Sequence, residues 1–243
     1  MLRAMGVRFS DKTGLELSGK GEDLAALSTI DTSGLCPQVR NVSIRLACDV
    51  RNPLYGPQGA AFVYAPQKGA SQSQAAVLDE GLRNFALVCK ACLGRDVSCL
   101  QGAGAAGGAG AGLNAVLGAE LIPGIDLFLD VAGFETALQD CDLVITGEGK
   151  MDDQTLMGKA PMGVLRAAAA RAVPVIAIVG TAVISETLLS SGFAGIFPVT
   201  GRHSDIAEAM KPEAAKRNLK KTAARIAERL KDIQDAELSD ALG

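Results

Sequence analysis

The chain has 243 residues, 48% hydrophobic and 21% charged, which is enough apolar material for one large or two small packed domains and too much for a disordered chain. Its formal charge of −3, with acidic and basic residues interspersed, leaves no broad cationic face and argues against nucleic acid as a partner. No uninterrupted apolar stretch reaches the roughly 18 residues of a membrane span, and the opening MLRAMGVRFSDK lacks the apolar centre of a signal peptide, so the expectation is a soluble, cytoplasmic protein with no membrane partner.

In chain order, SIRLACDV (43–50) reads as a strand, GAAFVY (59–64) as a second strand and residues 72–93 as an amphipathic helix. Asp49 ends the first apolar run and is followed by the turn signal Asn52-Pro53. A carboxylate placed there could orient a hydroxyl or accept its proton, or it could close the strand in an Asx-turn. APQKGA (65–70) leads from the second run into a glycine turn and offers Lys68 to a phosphate or carboxylate. In the helix, Leu78, Leu82, Phe85, Cys89 and Cys92 recur at spacings of four, three, four and three, which places them on a buried stripe. The C-x-x-C at Cys89 and Cys92 is no zinc signature, because the second pair is missing and the only histidine, His203, lies far along the chain.

Glycines cluster between Gly102 and Gly124. Gly102, Gly104 and Gly107 form a formal G-x-G-x-x-G, and Asp126 follows Gly107 by 19 positions, the spacing of a fingerprint for a nicotinamide cofactor. That fingerprint needs a strand immediately upstream, and RDVSCLQ is short, polar at both ends and poorly alternating. The other reading is a glycine- and alanine-rich helix start against which a ligand or another backbone packs closely.

From Asp140 the rhythm changes to a strand (142–146), a charged loop, a helix (161–172), the strand VPVIAIVG, a helix (184–191) and the strand AGIFPV. This β-α-β-α-β order predicts a parallel sheet covered on both faces. A last helix, 212–234, carries Leu219, Ala223, Ile226, Leu230 and Ile233 on one stripe, with KRNLKK as its solvated face. The charged loop GEGKMDDQTLMGKAP (147–161) falls at a strand's carboxyl end, where ligands of parallel sheets bind. Gly147 and Gly149 permit close backbone approach, and Glu148 and Asp152 could hold Mg²⁺. Pro161 suits a first helical turn, so Lys159 and free backbone N–H groups would converge on an anion. A phosphate-plus-magnesium ligand fits that chemistry; the alternative is a polar loop in which Thr155 or Asp153 merely caps a helix.

ACDVRNPLYGPQGAA, APQKGA, GAGAAGG, DLVITGEGKMDDQTLMGKAP and VPVIAIVGT, in that order, resemble the glycerate kinase family, the bacterial type that phosphorylates D-glycerate with ATP. Small departures are Ala65 where the family often has glycine and Gln101 where it often has proline. The larger departure is at the front: the family's Asp-Ser-Phe-Lys strand and its Gly-Gly-Ser-Ala-Thr-Asn-Asp-Gly-Gly stretch do not occur, and MLRAMGV resembles the helix just after the second of them. The resemblance therefore implies a member without its N-terminal segment. The implied fold class is α/β, with residues 1–138 the remainder of an inserted α/β domain and 139–243 the C-terminal part of a Rossmann- or flavodoxin-like parallel-sheet domain.

What the resemblance implies about activity is transfer of the γ-phosphoryl group of ATP, with Mg²⁺, to a hydroxyl of D-glycerate, giving 2-phosphoglycerate. The catalytic set expected is Asp152, Glu148, Lys159 and Asp49, with Glu148 and Asp152 also on the metal. Substrate and nucleotide would be met by Asn52, Lys68, Gly102, Gly104, Gly107, Gly108, Gly147, Gly149, Gln154 and Thr155. Strand 142–146 would lack a sheet neighbour, which implies an open edge and self-association. Two rival readings stand beside this one: a catalytically silent fragment that is at most a binding module, and an NAD-dependent oxidoreductase.

Overall fold

The periodic segment 72–93 sets the centre of the first of two units. In the computed structural model, which describes residues 1–201 and 205–242 and side chains up to 231, the chain divides into Met1–Leu127 and Phe128–Gly243. The expected helix is present with both ends specified locally. Ser71 Oγ accepts the Gln74 N–H at 3.2 Å while the Gln74 side chain accepts the Ser71 N–H at 2.8 Å, a reciprocal capping box, and Gly94 ends the helix at φ 66°.

The first unit runs β1 (Arg8–Ser10), β2 (Thr29–Asp31), α1 (Pro37–Arg40), β3 (Arg45–Ala47), α2 (Ala60–Tyr64), α3 (Gln72–Leu93), α4 (Ala105–Leu117), β4 (Glu120–Ile122) and the start of α5 (Gly124–Val131). β1 and β2 are antiparallel, and β3 and β4 are parallel with Arg45 opposite Glu120. The core gathers Val7, Leu54, Leu82, Phe85, Cys89, Val97 and Ala111. Burial pushes the Cys89 thiol up to about 12, the behaviour of a small core hydrophobe. Cys92, expected on the same stripe, is exposed.

Two expected strands change. GAAFVY forms the helix α2 (Ala60–Tyr64), because its small residues Ala60 and Ala61, 2% and 4% exposed, are buried where it packs against α3 and α4; packing overrides the strand preference of Phe62, Val63 and Tyr64. SIRLACDV keeps only three strand residues, since β4 offers just Glu120–Ile122 as partners and the last ladder bond runs from the Cys48 N–H to the Ile122 carbonyl at 2.8 Å.

The second unit contains the rest of α5, then α6 (Phe134–Ala137), β5 (Val144–Met151), α7 (Ala160–Ala169), β6 (Val175–Ala182), α8 (Glu186–Leu189), β7 (Gly195–Pro198), α9 (Ile206–Ala209) and α10 (Pro212–Leu242). Its three strands are parallel in the order β5-β6-β7, with Val144 opposite Val175 and Ile176 opposite Gly195, so the expected β-α-β-α-β unit is present. One core joins Leu138, Val144, Leu165, Ala168 and Val175, and another Met151, Ala177, Val179 and Leu188. The compact units meet at 127/128, whereas the resemblance implied 138/139; α6 brings Phe134 and Leu138 into the core of the second unit. Among the described residues β5 is an edge strand, and its Ile145 is 59% exposed.

α10 turns a different face inward from the one its apolar residues suggested. Ala214, Thr222 and Ile226 are buried, while Leu219 and Leu230 are 49% and 41% exposed and Ala223 is exposed. His203 lies outside the described residues, and Ile233 lies beyond the last described side chain. Lys216, Arg217, Lys220 and Lys221 are exposed, in keeping with a solvated basic run.

Candidate functional site

β5 does not stop where the β-branched run stops. Its ladder with β6 continues with Glu148 opposite Val179, Lys150 opposite Thr181 and Met151 opposite Ala182, so GEGKM is strand and only the segment after it is loop. Two glycines make the close pairing possible: a Cβ on Gly147 would lie 2.4 Å from the Ile178 carbonyl oxygen, and one on Gly180 2.4 Å from that of Gly149. Gly147 therefore serves the strand pair. Gly149 has open space where a Cβ would stand.

The turn that follows draws the charged side chains around one buried hydroxyl. Thr155 is wholly buried; its Oγ1 donates to Glu148 Oε1 at 2.5 Å and accepts the Asp152 N–H at 3.2 Å. The hydroxyl expected to meet a ligand is instead consumed between these two acidic residues. Lys150 Nζ stands 3.0 Å from Asp152 Oδ2, and the Gln154 N–H donates to Asp152 Oδ1 at 3.0 Å. The hydrogen bond from the Lys150 ammonium, then the Gln154 amide and the charges of Lys150 and Lys159, hold the Asp152 carboxyl below the usual carboxylate range. It is an anion at neutral pH.

Neither Thr155 nor Asp153 caps α7. The N-cap is Lys159, whose side chain makes no capping bond, and Pro161 occupies the first turn, so the start of a ten-residue helix faces outward beside an exposed lysine. Asp153 accepts from Ser185 Oγ, and that oxygen accepts the Leu188 N–H at 3.0 Å at the start of α8. Lys150 and Ser185 were absent from the expected set. Both carried a signal: Lys150 lies two residues before an acidic candidate, and Ser185 follows the carboxyl end of the neighbouring parallel strand.

Glu148 and Asp152 suit Mg²⁺ unequally. The second oxygen of Glu148 takes no hydrogen bond from the described residues, whereas both oxygens of Asp152 are engaged. Among the described residues no group of three or more His, Cys, Asp or Glu could cage a metal. Mg²⁺ does not require one, since it keeps several waters and binds through one or two carboxylates plus substrate phosphates. The donor set fits that mode, with Glu148 the better-placed ligand.

The candidates of the first unit have other occupations. Asp49 Oδ1 accepts the Gly124 N–H at 2.8 Å. Asn52 donates to the Gln58 carbonyl at 2.9 Å, accepts from the Tyr64 hydroxyl at 2.8 Å and, through its own carbonyl, accepts the Gly104 N–H at 3.1 Å. A Cβ on Gly104 would sit 2.3 Å from the Pro53 carbonyl oxygen, and one on Gly102 2.8 Å from Cys48 Sγ. The close approach expected at these glycines is thus made by the chain itself. Gly108, at φ 98°, packs under Leu54 and Leu82, while Gly107, at φ 74°, faces open space and lines a cavity of about 380 Å³ together with the exposed Lys68.

No strand precedes the glycine run: residues 95–101 are loop and turn, and Ala106, Gly107 and Gly108 are all left-handed where a dinucleotide fingerprint would open a regular helix. Asp126 lies within α5, away from a strand end. The nicotinamide reading falls on both counts. No described helix is long and apolar enough to cross a membrane.

Comparison with known proteins gives the chain its relatives. The chain is 44% identical over 225 residues to a glycerate kinase of Halalkalibacterium halodurans, covering 90% of this chain and 59% of that one. It is 46% identical over 181 residues to a glycerate 2-kinase of Escherichia coli, covering 74% and 48%. A crystal structure of a candidate glycerate kinase 2 from Salmonella typhimurium LT2 superposes with a TM-score of 0.77 at 40% identity, over 97% of this chain and 61% of that one. The chain thus spans about half to three-fifths of the length of these relatives. Residues 1–231 match the Glycerate kinase family, and with these relatives beside that match, the chain belongs to that family.

Proposed function

We propose that this chain transfers the γ-phosphoryl group of ATP to the 2-hydroxyl of D-glycerate, and that the carboxyl end of β5 is where the phosphates and Mg²⁺ are held. The observation that carries the reading is the pair of acidic residues Glu148 and Asp152 joined through Thr155, beside the uncapped start of α7 with Lys159. Phosphoryl transfer is mostly positioning plus neutralisation of charge, and this arrangement supplies both. Mg²⁺, when bound, would supply neutralisation of phosphate charge. The free oxygen of Glu148 is the ligand offered to it, and Lys159 with the N-terminus of α7 meets the remaining phosphate charge. Asp152, ionised at neutral pH, is the carboxylate assigned to the proton released as the substrate oxygen forms its bond to phosphorus and the bond to the ADP oxygen breaks, and Lys150 orients it while lowering its basicity. Lys68, beside Gly107, is the candidate of the first unit for a carboxylate or phosphate. The naming of one relative as a glycerate 2-kinase supports the 2-hydroxyl. The open edge of β5 with exposed Ile145 supports self-association.

The test is incubation of the 243-residue chain with D-glycerate and Mg·ATP, following products by ³¹P NMR. The expected result is stoichiometric ADP and 2-phosphoglycerate. Binding of Mg·ADP without any turnover would replace the kinase reading by that of a silent binding module.

A further inference from the structure

Glu148 and Asp152 come from different structural contexts, one from strand β5 and one from the turn after it, and nothing in their own backbone geometry sets the distance between them. A glutamate on a strand has three rotatable side-chain bonds, so an exposed one samples many positions. Thr155 removes that freedom. Its hydroxyl has one proton and gives it to Glu148 Oε1; the same oxygen takes the Asp152 amide, so its donor and acceptor functions are both assigned. The residue is fully buried, which fixes its own rotamer by packing, and its bond to Glu148 is partly buried. The turn holds it in place, with the Thr155 N–H donating to the Asp152 carbonyl at 2.8 Å.

We infer that Thr155 is a positioning residue: it holds one oxygen of Glu148, leaves the other for a divalent cation, and sets that oxygen in register with the Asp152 backbone. This deepens the proposed function and rests on its assignment of Glu148 to Mg²⁺. Groups that orient a metal ligand without touching the metal commonly change metal affinity or activity by about 10–100-fold when lost. The same loss is expected here, expressed in the Mg²⁺ requirement.

The experiment compares Thr155→Val, which keeps the shape and removes the hydroxyl, with Thr155→Ser, Glu148→Gln, which removes the charge but keeps the acceptor, Glu148→Ala, which removes both, and the double variant Thr155→Val/Glu148→Ala. Two readouts are taken: the Mg²⁺ concentration for half-maximal glycerate phosphorylation, with Mn²⁺ binding by the protein alone in parallel, and stability by urea unfolding. Thr155→Val should weaken the Mg²⁺ and Mn²⁺ responses by about 10–100-fold, Thr155→Ser should recover most of that loss, and Thr155→Val and Glu148→Ala should be strongly non-additive in urea, because they remove the donor and the acceptor of the same bond. A Thr155→Val protein that is less stable yet has an unchanged Mg²⁺ and Mn²⁺ response would reduce Thr155 to a structural role and overturn the inference, as would additive stabilities. If Glu148→Gln leaves both turnover and Mn²⁺ binding intact, the assignment of Glu148 to the metal is what fails, and the positioning role fails with it; if Glu148→Gln abolishes Mn²⁺ binding and Thr155→Val does not alter it, the assignment stands and only the inference falls.

Discussion

The two units present the same local signal with opposite outcomes. Each has a short parallel strand that runs into polar residues: β3 into Asp49 and Asn52, β5 into Glu148, Lys150 and Asp152. In the first unit the chain uses up Asn52 between Gln58, Tyr64 and Gly104, and it engages one oxygen of the exposed Asp49 with the Gly124 amide. In the second, only Thr155 is buried, and the charges stand around it with a carboxylate oxygen and a lysine left over. A polar residue after a strand is therefore a site only when the surrounding backbone does not already satisfy it.

Changes on the two sides should separate accordingly. The largest effect belongs to Glu148→Gln, which removes the charge offered to Mg²⁺ while keeping the acceptor for Thr155, and should lower the turnover number by roughly 100-fold with little change in melting temperature; a turnover within threefold of the parent would erase the contrast. Next is Gly104→Ala in the first unit, whose new methyl would meet the Pro53 carbonyl at 2.3 Å and should cost about 3 kcal/mol of stability by overpacking, read as a lower urea midpoint at constant slope. Asp49→Ala should cost about 1 kcal/mol by orphaning the Gly124 amide, while Asp49→Asn, which can still accept that bond, should keep both stability and turnover. Loss of turnover in the asparagine variant would move Asp49 from scaffold to chemistry.

The smallest effect is one of pH. Because Lys150 holds the Asp152 carboxyl below its ordinary value, this pair contributes stability that is present above the unfolded-state value of about 4 and is lost as pH falls through the lower folded value. Lys150→Met should raise that folded value, so the acid limb of stability begins at a higher pH than in the parent. Superimposable acid limbs would show that Lys150 does not engage Asp152 in solution.

How much could be read in advance differs from element to element. Helix 72–93 was legible because its apolar spacing, its Ser71 and Gln74 capping pair and its terminal Gly94 all act within a few residues of one another. The alternation of strand and helix after Asp140 was legible for the same reason, and so were the chemical types gathered at 147–161. GAAFVY was misread because strand and helix differ there only by what lies alongside, and α2 lies against α3 and α4. α10 was misread because an apolar stripe at 219, 223, 226 and 230 is as regular as the buried one at 214, 222 and 226.

By itself, then, the amino-acid sequence determined which residues form the longer helices, that the last hundred residues alternate strand with helix, and which functional groups cluster after DLVIT; these depend on contacts between near neighbours. Tertiary structure alone decided that β5 runs on to Met151, because β6 supplies seven paired positions from Val144 to Met151, and that Thr155 is a buried tether while Glu148 keeps a free oxygen. Hydrogen-bond capacity is a property of the residue, but whether it is already spent depends on which distant backbone comes to lie beside it.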